Sequence, residues 1–407
     1  GAYLGYNAFV DGNVFAYNDD ITMYNGRIKG SLYASENIRM DGSSTVEGNI
    51  TSLDNIIITN STFWWDDAYC NKVTGNLYAS GDISLSSSSF FSGGSQKYGN
   101  SIEGNVFSSG DITLDSTKSI FGSSSGNKVT GDLFGFGSGM INLGNRSAVE
   151  GNVWGAGEIR INGPSQVIKN IQGLGKVAFN DDCEVSGSVF GAGGIDIGTS
   201  NNSPDVSANQ IVSSGELYVR NSVDITGDVF AAQNMTIANN KHPRFYDDVV
   251  CYSNISDQNA GSKFYEDVYG VEVRVKTSGQ ASNRTDIGGK LYYVDYTNYS
   301  SSNKQRINAN ELPSMPTVPD FPDAPSMPAV KPFPGIPQVD PEDYQGKLGC
   351  KTLKKADLQS DLGWWFGWDF DDEFDWGPSG SGRKYLDLST LDTEHYQVFY
   401  IDDEVSN

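Results

Sequence analysis

The chain has 407 residues, and its 28 Lys and Arg against 51 Asp and Glu give a formal net charge of −23. This acidic balance disfavours a large basic face and so argues against nucleic acid and anionic membrane surfaces as partners. Aromatic residues make up 12% of the chain, charged residues 19%, and Gly contributes 47 residues, which is not the composition of a disordered acidic chain.

A repeat with a base period of 18 residues fills residues 1–240. Its block of apolar, polar, Gly, Asn/Asp/Ser, aliphatic, aromatic and small residues first appears as Val-Asp-Gly-Asn-Val-Phe-Ala at residues 10–16. The later Gly anchors are Gly30, Gly48, Gly75, Gly104, Gly131, Gly151, Gly187 and Gly227. A short alternating strand, such as Ile-Thr-Met at residues 21–23, follows each anchor. This pattern predicts an all-β fold, a single-stranded parallel β-helix of about 11–12 coils with right-handed winding favoured.

Several coils carry insertions at one place, between the Ile-x-Leu strand and the next Gly block. They occupy residues 59–71, 86–101 and 115–128, with a shorter one at 198–205. Insertions at one corner of a solenoid stack into one face, which is commonly the binding face. The aromatic residues of these insertions are Phe63, Trp64, Trp65, Tyr69, Phe90, Phe91, Tyr98 and Phe121. All of them except Phe121 are taken as candidate ligand-binding residues.

A second aromatic series lies within the repeat, three residues after each anchor. Its members are Phe15, Tyr33, Tyr78, Phe107, Phe134, Trp154, Phe190 and Phe230. In strict alternation the aliphatic residues around the anchor point inward, so these rings point outward and form an external ladder. A left-handed residue at the Gly-Asn corner would reset this parity. The rings would then enter a widened core or stack as an ordinary side-chain ladder.

The repeat is lost after residue 240. Strand-like pieces at residues 269–276 and 290–296 predict a hairpin-bearing excursion over residues 241–310. A proline-rich segment follows over residues 311–345, and six of its prolines are spaced by three: Pro313, Pro316, Pro319, Pro322, Pro325 and Pro328. Because a polyproline II helix has three residues per turn, the segment has a proline edge, a polar edge and an apolar edge. We expect it to pack along the β-helix axis over an aromatic or aliphatic face, with a free linker as the alternative.

Residues 346–407 are expected to form an aromatic-rich C-terminal β extension. Within thirteen residues it contains Trp364, Trp365, Trp368 and Trp376, interleaved with acidic residues. Tryptophans beside so many acids are hard to bury, so these four are also candidate binding residues. The acids of residues 369–375 offer oxygen ligands for calcium, but no EF-hand pattern occurs. A solvated acidic loop is favoured, and no metal site is assigned.

Groups suited to catalysis are sparse in the sequence. Asn-Asp-Asp-Cys at residues 180–183 resembles the paired-aspartate segment of pectin-cleaving glycosidases, in which two carboxylates act as acid and base. Neither His242 nor His395 lies in a Gly-His-Gly context, and no Arg-x-Lys motif occurs. Asp181 and Asp182 are therefore placed in a turn. We expect no enzymatic activity and no cofactor.

The remaining features concern the setting of the protein. Its four cysteines, Cys70, Cys183, Cys251 and Cys350, allow three disulfide pairings and hint at an extracytoplasmic location. No run approaches the roughly 18 apolar residues of a membrane span, so no membrane insertion is expected. No charged segment followed by an apolar stretch opens the sequence. We therefore expect that it begins after any export or anchoring segment.

An excess of aromatic residues suits a sugar ligand, because ring faces pack on the axial C–H groups of β-linked glucose. The combination of Gly-Asn-Val-Phe-Ala coils, a long proline-rich segment and a Trp-rich C-terminal portion resembles the C-terminal domain of tāpirins. The coil motif is also similar to PilX-like pilus-assembly β-solenoids and, more loosely, to bactofilins. The tāpirin resemblance implies a non-catalytic, cell-surface cellulose-binding protein of thermophilic cellulose-degrading bacteria, associated with type IV pilus genes.

The sequence therefore predicts an extracellular adhesin that binds crystalline cellulose or a related β-glucan without cleaving it. Its expected partners are cellulose or another insoluble plant polysaccharide, together with pilus proteins. One alternative is a pilus-associated structural β-solenoid whose rings contact partner proteins. The other is a β-helix polysaccharide lyase or hydrolase, an inference that rests on fold analogy.

Overall fold

The computed structural model describes residues 2–5, 8–62, 70–89, 98–117, 126–167, 169–199, 202–238, 242–257, 261–280 and 284–328. It also describes the backbone of four short strands beyond residue 349. Almost all described secondary structure is β-strand, and the strands of residues 2–306 stack in parallel as a β-solenoid. This confirms the predicted all-β parallel β-helix.

Each coil contributes one strand to each of three parallel sheets, named first, second and third in chain order. The first sheet contains Ala2–Leu4, Ile21–Tyr24, Ile38–Asp41, Ile56–Thr62, Ile83–Ser89, Ile112–Thr117, Ile141–Leu143, Ile159–Ile161, Val177–Phe179, Ile195–Ile197, Leu217–Arg220 and Met235–Ala238. The second contains Phe9–Val10, Arg27–Ile28, Thr45–Val46, Asn71–Val73, Tyr98–Ile102, Gly126–Val129, Ser147–Val149, Ser165–Val167, Cys183–Val185, Arg244–Phe245, Lys263–Phe264 and Asp286–Ile287.

The third sheet follows the Gly anchors. It contains Val14–Ala16, Leu32–Ala34, Ile50–Ser52, Leu77–Ala79, Val106–Ser108, Leu133–Gly135, Val153–Gly155, Ile171–Gly173, Ser188–Gly191 and Lys304–Arg306. Two longer strands, Asp205–Ser213 and Asp224–Ala231, pass from the second sheet into the third. Three more, Val249–Asp257, Val268–Val275 and Leu291–Thr297, pass from the third sheet into the first. Eleven strands of the third sheet begin between Val14 and Asp224, which agrees with the coil number predicted for residues 1–240.

A single aliphatic core runs along the solenoid axis. In the third sheet, Leu77 and Ala79 are fully buried while Tyr78 between them faces outward and is half-buried. The other two sheets show the same alternation, as in Ile159 and Ile161 around the exposed Arg160. The period-two pattern thus assigns one side of each strand to the core.

The Gly-Asn pair forms the corner between the second and third sheets. A Cβ atom at Gly104 would lie 2.4 Å from the carbonyl oxygen of Gly75 in the preceding coil, so only glycine fits. The next residue, Asn105, donates its backbone N–H to Asn76 Oδ1 at 2.8 Å. Gly104 is not among the glycines with positive φ. The corner therefore requires glycine for close approach, and it leaves the parity of the following strand intact.

The described residues between 242 and 310 continue the solenoid and do not form the predicted hairpin. Val268 pairs in parallel with Val249, and Leu291 pairs in parallel with Val268, so the solenoid continues to Lys304–Arg306. The anchor glycine is replaced by Asp247 and Glu266, but the aspartate after each of them still supplies the acceptor of the corner hydrogen bond. The backbone N–H of Asp267 donates to Asp248 Oδ1 at 3.0 Å, and that of Lys290 donates to Asp267 Oδ1 at 2.7 Å. The corner hydrogen bond survives although the Gly-Asn signature is gone.

A 3-10 helix, Ala309–Glu311, follows the last coil. Beyond residue 349, Cys350–Leu353 pairs in parallel with Val398–Ile401, and Trp368–Phe370 pairs antiparallel with Phe374–Trp376. These strands agree with the predicted C-terminal β extension. Within the described ranges, no helix is long and apolar enough to cross a membrane.

Candidate functional site

Three successive insertions begin at the same corner, between the first and second sheets. The strands that lead into them, Ile56–Thr62, Ile83–Ser89 and Ile112–Thr117, are longer than the neighbouring strands of that sheet and stack in register. Thr62 pairs with Ser89, and Ser88 pairs with Thr117. Neighbouring strands lie about 4.8 Å apart, so the three insertions start from one compact edge of the rod, as predicted.

A ladder of buried asparagines closes the base of each insertion. Asn71, Asn100 and Asn127 are fully buried and occupy equivalent positions in the second sheet. Their Nδ2 atoms donate to the carbonyl oxygens of Thr59, Ser86 and Asp115, at 2.8, 2.8 and 2.7 Å. They also donate along the ladder, from Asn71 to Asn100 Oδ1 at 3.0 Å and from Asn100 to Asn127 Oδ1 at 2.7 Å. Each asparagine thereby joins the two ends of its own insertion, and Asn71 and Asn100 also bind the next coil.

Removing the middle asparagine is expected to cost roughly 3 kcal/mol of unfolding free energy, because Asn100→Ala leaves several buried polar groups without partners. Urea or thermal unfolding of the variant measures this cost. Ser101→Ala is the matched control, because Ser101 is the next residue of the same strand but is only half-buried. A loss below about 0.5 kcal/mol for Asn100→Ala would contradict the clamp role.

The aromatic residues predicted to bind ligand lie mostly outside the described residues: Phe63, Trp64, Trp65, Tyr69, Phe90, Phe91, Trp364 and Trp365. For Tyr98, Trp368 and Trp376 the structure describes the backbone. Tyr98 begins the strand Tyr98–Ile102 at the return of the second insertion, and Trp368 pairs with Trp376 across the two-stranded ribbon. Their assignment to ligand binding stays a prediction.

The rings three residues after the anchors form a stacked external row on the third sheet. Phe15 and Tyr33 lie 4.8 Å apart between ring centroids, and Tyr78, Phe107 and Phe134 follow at 4.9 Å spacings. The ring planes of these pairs are within 9° of one another. The predicted outward direction is therefore correct, and the rings also stack on each other as in an ordinary side-chain ladder. Their faces cover one another, so the outer surface of the row consists largely of ring edges.

The proline strap, defined as residues 313–328, lies on this row. Met315 and Val318 pack against an apolar cluster that consists of Phe190, Val212, Phe230 and Val250. The Phe321 ring meets the Trp154 ring edge-on, with centroids 6.0 Å apart. Later strap residues thus contact earlier coils. The strap therefore runs along the solenoid axis, from the later coils towards the earlier ones. Its axial placement was expected from the sequence.

Two side-chain donors hold the strap backbone. Tyr252 Oη donates to the carbonyl oxygen of Pro313, and Gln172 Nε2 donates to that of Pro319 at 2.6 Å. Gln172 Oε1 is buried with no hydrogen-bond partner among the described residues. The Gln172 side-chain nitrogen therefore donates to the strap, while its oxygen stays unpaired. Sequence reasoning missed both residues, because Gln172 interrupts the aromatic series and Tyr252 lies outside the 18-residue repeat.

Burial along the strap has a period of three. The polar edge is exposed at every position: Ser314, Thr317, Asp320, Asp323 and Ser326. Met315, Val318, Phe321 and Met327 on the apolar edge are half-buried, while the short Ala324 is exposed. This pattern is that of an amphipathic polyproline II segment and not of a free linker. Residues 329–345 lie outside the described residues.

Basic residues near the insertion corner are neutralised by acids. Lys72 Nζ lies 2.7 Å from Glu103 Oε1, and Lys128 Nζ lies 2.6 Å from Glu150 Oε1. These exposed pairs contribute little to stability, but they leave no concentrated positive charge on that part of the described surface. The corner is therefore poorly suited to an acidic polymer.

The paired aspartates serve a corner of the solenoid. Asp181 Oδ1 accepts the backbone N–H of Asp182 at 2.9 Å, and Asp182 Oδ1 accepts that of Asp205 at 2.8 Å. Burial and the neighbouring carboxylates Asp182 and Asp224 raise the pKa of Asp205. Among the described residues, no cluster of three or more His, Cys, Asp or Glu is placed to hold a metal ion.

The side chains of three cysteines are described, and none of the three is in a disulfide: Cys70, Cys183 and Cys251. Burial raises the pKa of Cys183 to about 12 and that of Cys251 to about 11. Because the thiolate is the reactive form, both thiols are inert at neutral pH. They act as small apolar residues of the core.

No family model matches the chain, and neither a curated protein nor a solved structure matches it.

Proposed function

We propose that the protein is an extracellular, cell-surface adhesin that binds crystalline cellulose or a related neutral β-glucan without cleaving it. One observation carries the proposal. Three consecutive insertions rich in aromatic residues start from adjacent strands at one corner, in register, on a base fixed by buried asparagines. A rigid base with an axial repeat suits a long polymer, because successive subsites then have a constant spacing.

The choice of a neutral polymer rests on charge. The chain carries an excess of 23 negative charges, and Lys72 and Lys128 beside the insertion corner are paired with acids. A pectate-like polymer would be repelled by the net charge, and the described residues beside the corner offer it no unpaired cation. Ring faces and hydrogen bonds recognise a β-glucan without any charge.

Pull-down on microcrystalline cellulose, with xylan and pectin as comparison polymers, tests the proposal. We expect adsorption to cellulose and little to pectin. Release of reducing ends or unsaturated sugars during incubation would instead identify a hydrolase or lyase. Absence of adsorption to every polymer would favour a pilus-associated solenoid that contacts proteins.

Adsorption is expected to change less than about twofold between roughly 0.05 and 0.5 M NaCl, because stacking on a neutral polymer has no large Coulomb contribution. Binding isotherms at several salt concentrations measure this dependence. A steep loss of binding with salt would indicate a charged ligand and would contradict the assignment of a neutral one.

A further inference from the structure

We propose that the outer face of the third sheet between Trp154 and Val250 is a polyproline II recognition groove, and that the proline strap is its occupant in cis. The groove would bind a proline-rich segment of the same chemistry when it is supplied as a separate peptide. This proposal is independent of polysaccharide binding. It rests on register, hydrogen bonding and the shape of the face.

The register of the two strap hydrogen bonds fits a polyproline II helix. Pro313 and Pro319 are six residues apart, which is about 19 Å at about 3.1 Å per residue. Their donors, Tyr252 and Gln172, belong to coils whose outward residues pair in the order Val250, Phe230, Val212, Phe190, Gln172. Those four steps of about 4.8 Å also span about 19 Å. Groove and strap therefore advance together, two coils for each polyproline turn.

The hydrogen bonds have the polarity that proline requires. Proline has no backbone N–H, so a proline-rich ligand offers mainly carbonyl oxygens and the groove must supply the donors. Tyr252 Oη and Gln172 Nε2 supply them to Pro313 and Pro319. The neighbouring backbone N–H groups of the third sheet are used in its parallel pairing. An aromatic-lined groove with such donors is a recurrent way of binding proline-rich segments.

The face also has the periodicity of the ligand. Rings and valines alternate along it, with Phe190 and Phe230 separated by Val212 and followed by Val250. The shorter valine side chains recur every second coil, at about 9.6 Å. Apolar side chains of the strap repeat every third residue, at about 9.3 Å. Met315 and Val318 pack on this cluster, so shape and spacing select the apolar edge of the strap.

Binding of a separate peptide is the direct test. Residues 313–328 are replaced in the full chain by a Gly/Ser linker of equal length, and a labelled peptide of residues 312–328 is titrated with fluorescence anisotropy as the readout. We expect saturable binding. A peptide with all its prolines changed to alanine should bind more than tenfold less tightly, because the preformed extended conformation is lost. A peptide carrying Thr317→Ala and Asp320→Ala on the exposed edge should bind like the parent.

The donors are tested in the groove. Gln172→Ala and Tyr252→Phe should each weaken peptide binding by about threefold to tenfold, the usual effect of one hydrogen bond. Leu174→Ala, at an exposed position of the neighbouring corner, is the control and should have no effect. Unchanged affinity in both donor variants, or no saturable binding of the parent peptide to a folded linker variant, would overturn the proposal.

A second design applies if the linker variant fails to fold. A protease site is placed between Arg306 and Pro313 of the intact chain, and the cleaved protein is analysed by size-exclusion chromatography. The two fragments should stay together in the parent and separate when Gln172→Ala and Tyr252→Phe are combined. Separation of the parent fragments, or retention that the double variant leaves unchanged, would refute recognition by the groove.

Discussion

Changing Trp64 and Trp65 together to alanine is expected to weaken adsorption to microcrystalline cellulose by more than tenfold. Each stacked ring contributes about 1 to 2 kcal/mol, and about 1.4 kcal/mol corresponds to a factor of ten in affinity. Both residues belong to the first insertion, whose base is closed by Asn71. The insertion starts beyond the strand Ile56–Thr62, which contributes Ile56 and Ile58 to the core, so we expect the melting temperature to stay unchanged. Depletion isotherms measure the affinity.

The matched control for the tryptophan pair is the change of Tyr246 and Tyr265 to alanine. These two rings stack 4.9 Å apart, directly after neighbouring strands of the second sheet, and are 37% and 46% exposed. Their coils are far along the solenoid from the coils that carry the insertions. Their removal should leave adsorption unchanged. The pair Trp364 and Trp365 in the C-terminal extension is tested in parallel. The stacking hypothesis fails if neither tryptophan pair affects adsorption.

Replacing the proline strap by a Gly/Ser linker of equal length is expected to leave the solenoid folded and to make it self-associate. The uncovered face between Trp154 and Val250 is about 24 Å long at about 4.8 Å per coil. Loss of the strap adds a continuous, largely apolar strip to the exposed surface, and such strips favour association between molecules. Light scattering should show dimers or larger species, while circular dichroism keeps the β signal. A variant that stays monomeric at high concentration would show that the strap is not needed as a cover.

The same variant distinguishes a permanent cover from a gate. The rings beneath the strap do not form a continuous platform, because Gln172 separates Trp154 from Phe190 and Val212 separates Phe190 from Phe230. An extended sugar chain packs on successive aromatic faces. We therefore expect cellulose adsorption by the monomeric fraction to be unchanged by loss of the strap. An increase in adsorption, without loss of fold, would instead make the strap a gate over a second binding surface.

The regular part of the fold could be predicted because it depends on contacts between adjacent coils that restrict the residue type at fixed positions. Glycine at position 104 is required by a carbonyl oxygen of the preceding coil, and the asparagine after it accepts the next coil's N–H. Both constraints repeat in most coils up to residue 240, so the repeat shows in the sequence there. The outward direction of the rings follows from parity, because no positive φ at anchors such as Gly75 and Gly104 resets the strand.

The parts that could not be predicted are of two kinds. At some positions different residue types make the same hydrogen bond, and at others the partner lies far away in the sequence. The corner acceptor can be Asn76 or Asp267, but after residue 240 the anchor glycine is replaced by Asp247 and Glu266, so the repeat is no longer recognisable there. Gln172 breaks the aromatic series, and only the strap, 147 residues away, explains it. For the candidate binding residues of the insertions, the sequence shows which residue types are present. The described structure covers only the strands on either side of those insertions.

The strap changes the kind of cooperativity that the solenoid has. In a stack of coils each coil contacts only its neighbours, so stability is a sum of nearest-neighbour contributions and end coils fray independently. The strap joins Trp154 and Gln172 to Val250 and Tyr252 through one continuous segment. Opening any of these coils then requires release of a contact shared with the others. Because residues 313–328 follow the coils they hold in the chain, this coupling becomes possible only after all of those coils have been synthesised.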